Sequence, residues 1–143
     1  MRRTHFIWSL YFMTRLAALF TCFALAGCAA AQVTQSVDPG SEFTLAQGAV
    51  ATVTAADVTV RFVAVTEDSR CPREVTCVWQ GEVKAQLVVQ VAQVESPVNI
   101  LVGHDEVVGG YRVTLLRVEP GRVTDAPIAP QDYRVTLKVE KAG

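Results

Sequence analysis

Apolar and polar side chains alternate through most of residues 42–141, and no stretch there keeps a 3.6-residue period. Such a pattern predicts strands rather than helices. Val83, Ala85, Leu87, Val89 and Val91 share one face, while Glu82, Lys84, Gln86 and Gln90 share the other, with Val88 among them. Near the C-terminus Tyr133, Val135, Leu137 and Val139 point inward, and Arg134, Thr136, Lys138 and Glu140 point outward. Tyr111, Val113 and Leu115 repeat the pattern before Leu116 and Val118 take over the apolar role, a change of phase that predicts a β-bulge at Leu115–Leu116. Val58, Val60 and Phe62 behave alike, with Val63 and Val65 out of phase. Shorter strands are expected over 42–46, 49–54 and 97–102, with Gln47-Gly48 as a tight hairpin turn between the first two. Gly109-Gly110, Pro120-Gly121, Pro127 and Pro130 punctuate the rest. Seven or eight strands at this spacing predict an all-β domain over 42–143, either an antiparallel, immunoglobulin-like β-sandwich or a small barrel. The pentapeptide Tyr-Arg-Val-Thr-Leu occurs at 111–115 and at 133–137. It reads as shared strand chemistry, aromatic and β-branched side chains inward, rather than as an internal repeat.

The start of the chain has a different pattern. Leu16 to Leu25 is a run of ten apolar or small residues preceded by Arg2, Arg3 and Arg15. It has the length of the apolar region of an export signal and is too short to span a bilayer comfortably. Met13-Thr14-Arg15 followed by this run is already a complete signal, so Met13 is an alternative start. Arg2-Arg3 hints at twin-arginine export, which the residues after the pair do not support. The run ends in Leu25-Ala26-Gly27-Cys28, which resembles the lipobox of bacterial lipoproteins. The resemblance implies that 1–27 is removed as a lipoprotein signal peptide. Cys28 then becomes residue one, carrying diacylglycerol on its thiol and a fatty acid such as palmitate on its amino group. Three acyl chains exceed what stable membrane anchoring needs. The alternative is an ordinary signal peptide cut within Ala29, Ala30 and Ala31. An Ala at 29, where an Asp would favour the inner membrane, leans toward the outer membrane. Residues 28–41 are expected to be the acylated cysteine and a tether, ending in the turn signal Asp38-Pro39-Gly40 and lifting the domain clear of the headgroups.

Charge narrows the partners. Lys and Arg number 13, three of them in the leader, against 14 Asp and Glu, none of them there, which leaves the mature chain at a net of about −4. A body with this balance has no basic field for nucleic acid. Of four cysteines, Cys22 leaves with the signal and Cys28 is the acylation site, so Cys71 and Cys77 remain. In an exported protein two such cysteines are expected to pair, although free thiols and metal binding stay open as alternatives. Closing a seven-residue ring is worth about 2.4 kcal/mol by loop entropy. A four-ligand zinc site lacks donors, because His104 is the sole mature histidine.

The run from Glu67 to Gly81 is the most distinctive. Asp68, Ser69, Arg70, Cys71, Pro72, Cys77, Trp79 and Gly81 make up D-S-R-C-P, a short loop, then C-x-W-x-G. This resembles a group of small, uncharacterised bacterial secreted lipoproteins with the same motif between two strands and a closing Asp-Tyr strand, here Asp132-Tyr133. The resemblance implies an exported β domain and no activity. Two roles compete for the motif. As a stapled corner, Asp68 caps the loop backbone, Arg70 folds back on Asp68 or Glu82, Trp79 covers the disulfide and Gly81 permits a bulge. As a recognition loop, Arg70, Arg73 and Glu74 form a rigid exposed tip for a partner.

Catalytic chemistry finds little support. His104 lies in a loop, and the adjacent acids Asp105-Glu106 and Glu67-Asp68 point to opposite faces of a strand. The expectation is therefore a non-catalytic, lipid-anchored envelope module that needs no cofactor or metal and binds an envelope partner. The alternative is a hydrolase inhibitor that presents the Cys71–Cys77 loop, with Arg70 or Arg73 filling a trypsin-like pocket.

Overall fold

The structure is a computed structural model that describes residues 33–143. The expected signal peptide, Cys28 and the start of the tether lie outside the described residues. Nine strands follow in chain order: β1 (Thr34–Val37), β2 (Glu42–Ala46), β3 (Val50–Val53), β4 (Val58–Asp68), β5 (Val83–Val91), β6 (Val94–Leu101), β7 (Asp105–Val108), β8 (Tyr111–Glu119) and β9 (Arg134–Lys141). A 3-10 turn, Pro130–Asp132, precedes β9. The strands form two sheets, β1-β3-β4-β5-β6 and β2-β9-β8-β7. All pairs are antiparallel except β1 with β3. The two sheets pack face to face without closing, so the sandwich is the architecture and the barrel is not.

The core is the sum of the inner faces that the alternation marks. Val58, Val60 and Phe62 of β4 and Ala85, Leu87 and Val89 of β5 meet Val113 and Leu115 of β8 and Val135, Leu137 and Val139 of β9, all of them buried. Both phase changes are bulges. The β4–β5 register slips between Phe62 and Ala64 and again between Val65 and Glu67. The β8–β9 register slips between Leu115 and Arg117, which leaves Leu116 as the extra residue. The first β4 slip brings Val65 against the core, and the β8 slip does the same for Val118.

Three expectations need correction. The segment taken as a tether contributes a strand, since Thr34–Val37 pairs in parallel with Val50–Val53 at the edge of the larger sheet. Gln47-Gly48 is a tight turn but not a hairpin. β2 pairs with β9 and β3 with β4, so the turn carries the chain from one sheet to the other, with Gly48 at φ +79° and its N–H donating to the Phe62 carbonyl at 2.8 Å. Asp105–Val108, which holds the acid pair read above as strand neighbours, is hairpinned to β8 through Gly109-Gly110. Thr136, expected outward and solvated, is buried on the central strand β9, and its hydroxyl pairs with that of Thr44 at 3.1 Å.

Candidate functional site

The turn at 47–49, the β4–β5 loop (69–82), the β6–β7 turn and the β8–β9 loop (120–133) gather at one end of the sandwich, as the registers require. Within this end the β4–β5 ladder continues past its last strand pair. Ser69 N donates to the Glu82 carbonyl at 2.8 Å, and Cys71 N donates to the Gln80 carbonyl at 2.9 Å. Ser69 Oγ also accepts from Glu82 N at 3.0 Å. Gly81 faces Ser69 with φ +69°, and a Cβ there would overlap the Ser69 carbonyl. Glycine is thus required by a close approach of two backbones as well as by the left-handed conformation.

Cys71 and Cys77 form a disulfide, with Cα atoms 5.9 Å apart, which closes the ring at the end of this stem. The ring leans on the β8–β9 loop through Arg73 N to the Arg122 carbonyl and Glu74 N to the Val123 carbonyl, both 3.2 Å. The sequence motif therefore builds a stapled corner, and its two charged residues serve that corner. Arg70 Nε and Nη2 bind the two oxygens of Asp68 at 2.8 and 2.6 Å. Arg70 Nη1 reaches the Val118 carbonyl at 2.8 Å and Nη2 the Pro120 carbonyl at 3.0 Å, clamping the end of β8 to the end of β4. Asp68 also accepts from Arg70 N at 3.3 Å and from the Tyr133 hydroxyl at 2.9 Å. Burial pushes the Asp68 carboxyl up, but hydrogen bonds from Arg70 and Tyr133 and the charge of Arg70 outweigh it and hold the carboxyl below its usual range. Arg70 is held above its ordinary value by its bond to Asp68 against the cost of burial. Tyr133 is raised by burial and by its bond to the Asp68 carboxylate.

The residues expected to form a tip divide. Arg70, with its side chain 19% exposed and its guanidinium engaged on both strands, is not a free recognition group. Arg73 and Glu74 are exposed. Trp79 does not cover the disulfide as expected: it is 81% exposed, and its neighbour Val78 is 95% exposed. Val75 and Val123 add apolar surface at the same end. Beside the stem opens a cleft of about 350 Å³ whose lining includes Arg73, Glu82, Leu101, His104 and Arg122. Arg122 donates to the Arg70 and Asp125 carbonyls at 3.2 Å. Among the described residues neither Arg73 nor Arg122 has a carboxylate within salt-bridge distance.

Sequence reasoning missed the Tyr133–Asp68 bond, the Arg70 clamp on β8 and the place of Arg122 in the corner. The partners are 48 to 65 residues apart, so no local spacing could reveal them. No group of three or more metal-ligating side chains occurs among the described residues. No family model, curated protein or solved structure matches the chain.

Proposed function

We propose that the protein is a lipid-anchored, non-catalytic module of the bacterial envelope whose binding surface is the disulfide-loop end of the sandwich. The observation that carries this reading is the exposure of Val78 and Trp79 on a corner that is otherwise fully tied down. Pro72, in the adjacent disulfide ring, is by contrast buried. A tryptophan held outward on a rigid, disulfide-closed support supplies contact area at low entropic cost, as binding anchors do. The anchor part of the reading rests on Leu25-Ala26-Gly27-Cys28 and on the resemblance to small secreted lipoproteins.

The inhibitor alternative is less well supported. Arg70, one of its two candidate arginines, is committed to Asp68, Val118 and Pro120, and Arg73 is held through its backbone to Arg122.

A photo-reactive phenylalanine in place of Trp79, and separately in place of the distant and also exposed Val94, tests the surface in intact cells. Adducts should form from position 79 well in excess of position 94. Equal yields would refute this end as the binding surface. Cys28→Ser should abolish metabolic labelling by palmitate, and normal labelling of that variant would remove the anchor.

A further inference from the structure

We infer that the disulfide-loop end rests on the bilayer that carries the protein's own anchor, with Val78 and Trp79 seated in the interfacial layer. The inference rests on the anchored reading above and names the partner of the same surface.

The direction of β1 and the length of chain before it lead to this arrangement. Thr34 pairs with Val50, and Val50 pairs with Arg61, so Thr34 stands level with Arg61 of β4. β1 is parallel to β3 and therefore antiparallel to β4, whose C-terminal end leads into the disulfide loop. The chain thus enters β1 from the side of that loop, and the Val33 carbonyl is already bonded to Val50 N at 3.0 Å. Cys28 is six residues before Thr34, a reach of at most about 20 Å at full extension. From the level of Arg61, opposite Val88, to that of Asp68, opposite Val83, is five steps of β5, or about 17 Å. The loop 69–82 extends beyond that level. Even a fully stretched linker therefore brings an acylated Cys28 only about level with the base of the loop. With the strands upright on the membrane, the loop tip reaches the headgroups before the linker is taut.

What the tip presents suits that environment. Indole is the side chain enriched where headgroups meet hydrocarbon, with an apolar body and one N–H for the polar layer. Val78 beside it is apolar and wholly free to insert. Charge points to neutral as well as anionic lipid. Arg73 and Arg122 stand near Glu74, Glu82 and Asp125 at the same end, so there is no local excess of positive charge to demand anionic headgroups.

Trp79 reports on this directly, because Trp8, the chain's other tryptophan, lies in the leader. The mature acylated protein, with acylation of Cys28 verified by mass, is placed in phosphatidylcholine vesicles containing a lipid spin-labelled near the top of its acyl chain. Trp79 emission should shift to the blue and be quenched roughly twofold relative to unlabelled vesicles, as for an interfacial tryptophan. Replacing part of the lipid by phosphatidylglycerol should leave the quenching unchanged. A variant with Trp79→Phe and Val94→Trp, which moves the probe to the opposite end, should be unquenched. Acylated protein with unquenched Trp79, or equal quenching at 79 and 94, overturns the inference and leaves the anchor standing. Protection of Trp79 only after envelope proteins are added overturns it in favour of a protein partner. Absence of acyl mass on Cys28 overturns both readings.

Discussion

Replacing Arg70 by alanine removes the group that ties three segments together at the loop end. Asp68 would lose both side-chain bonds from the guanidinium and keep only those from Arg70 N and the Tyr133 hydroxyl. The carbonyls of Val118 and Pro120 would lose charged donors at the end of β8. An exposed ion pair contributes about 0–1 kcal/mol. Breaking a buried one costs about 3–5 kcal/mol. With side chains 19% and 9% exposed, a bidentate geometry and two further carbonyl bonds, this pair falls between, and Arg70→Ala should cost about 2–3 kcal/mol. The assay is urea unfolding followed by far-ultraviolet circular dichroism, since an exposed Trp79 reports poorly on the core. Arg70→Lys should recover less than half of the loss, because an ammonium cannot span Asp68 and the two carbonyls together. In a double-mutant cycle with Asp68→Asn the two changes should be clearly non-additive. A loss of less than about 0.5 kcal/mol in Arg70→Ala, the level of an ordinary surface change, would refute the clamp and return Arg70 to the pool of free recognition residues.

Two further outcomes follow from the same corner. Gly81→Ala meets both the Ser69 carbonyl and a φ of +69°, so it should cost more than about 2 kcal/mol in the same unfolding assay. The pH dependence has two limbs. Asp68 has a folded value below its usual 3.8, so its contribution is complete above that value and is lost as pH falls through the folded one; Asp68→Asn should flatten this acid limb. Tyr133 has a folded value above 10.0, so its contribution is complete below 10.0 and is lost as pH rises through the folded value; Tyr133→Phe should remove this alkaline limb.

The inner faces of the long strands could be read from alternation because burial there depends on period alone. Phe62, Leu87, Leu115 and Leu137 are all fully buried, and the phase slips at Val63 and Leu116 are visible as bulges. Partners could not be read in the same way. Gln47-Gly48 has the local chemistry of a hairpin, but whether the next strand folds back or crosses to the other sheet depends on β4 and on β9, the latter far along the chain. Thr136 has a polar side chain on the outward phase, yet it lies on the central strand of its sheet, where neighbours on both sides cover it. Tyr111 and Tyr133 begin the same pentapeptide, but only Tyr133 lies at the loop end, within reach of Asp68. Of the corner, the cysteine pair and the Asp68–Arg70 bond were legible because their partners are close in sequence. Trp79 was misread because hydrophobicity argues for burial wherever no opposing surface is known.

The position of β9 between β2 and β8 has a consequence for how the molecule is made. The larger sheet is mostly a meander, with β3 to β6 each pairing with the next, and all five of its strands are complete once Leu101 has been synthesised. In the smaller sheet the interior strand β9 follows all the other strands in sequence. Until residues 134–141 are available, β2 has no partner and β8 has only the short β7. Pairing β2 with β9 brings Phe43 beside Leu137, nearly the whole length of the body apart, and loop closures of that span place the protein among slow, high-contact-order folders. The core cannot lock until β9 has joined β2 and β8. β9 thus acts as a timing element: it commits the polypeptide to the native state only after every other strand has been made.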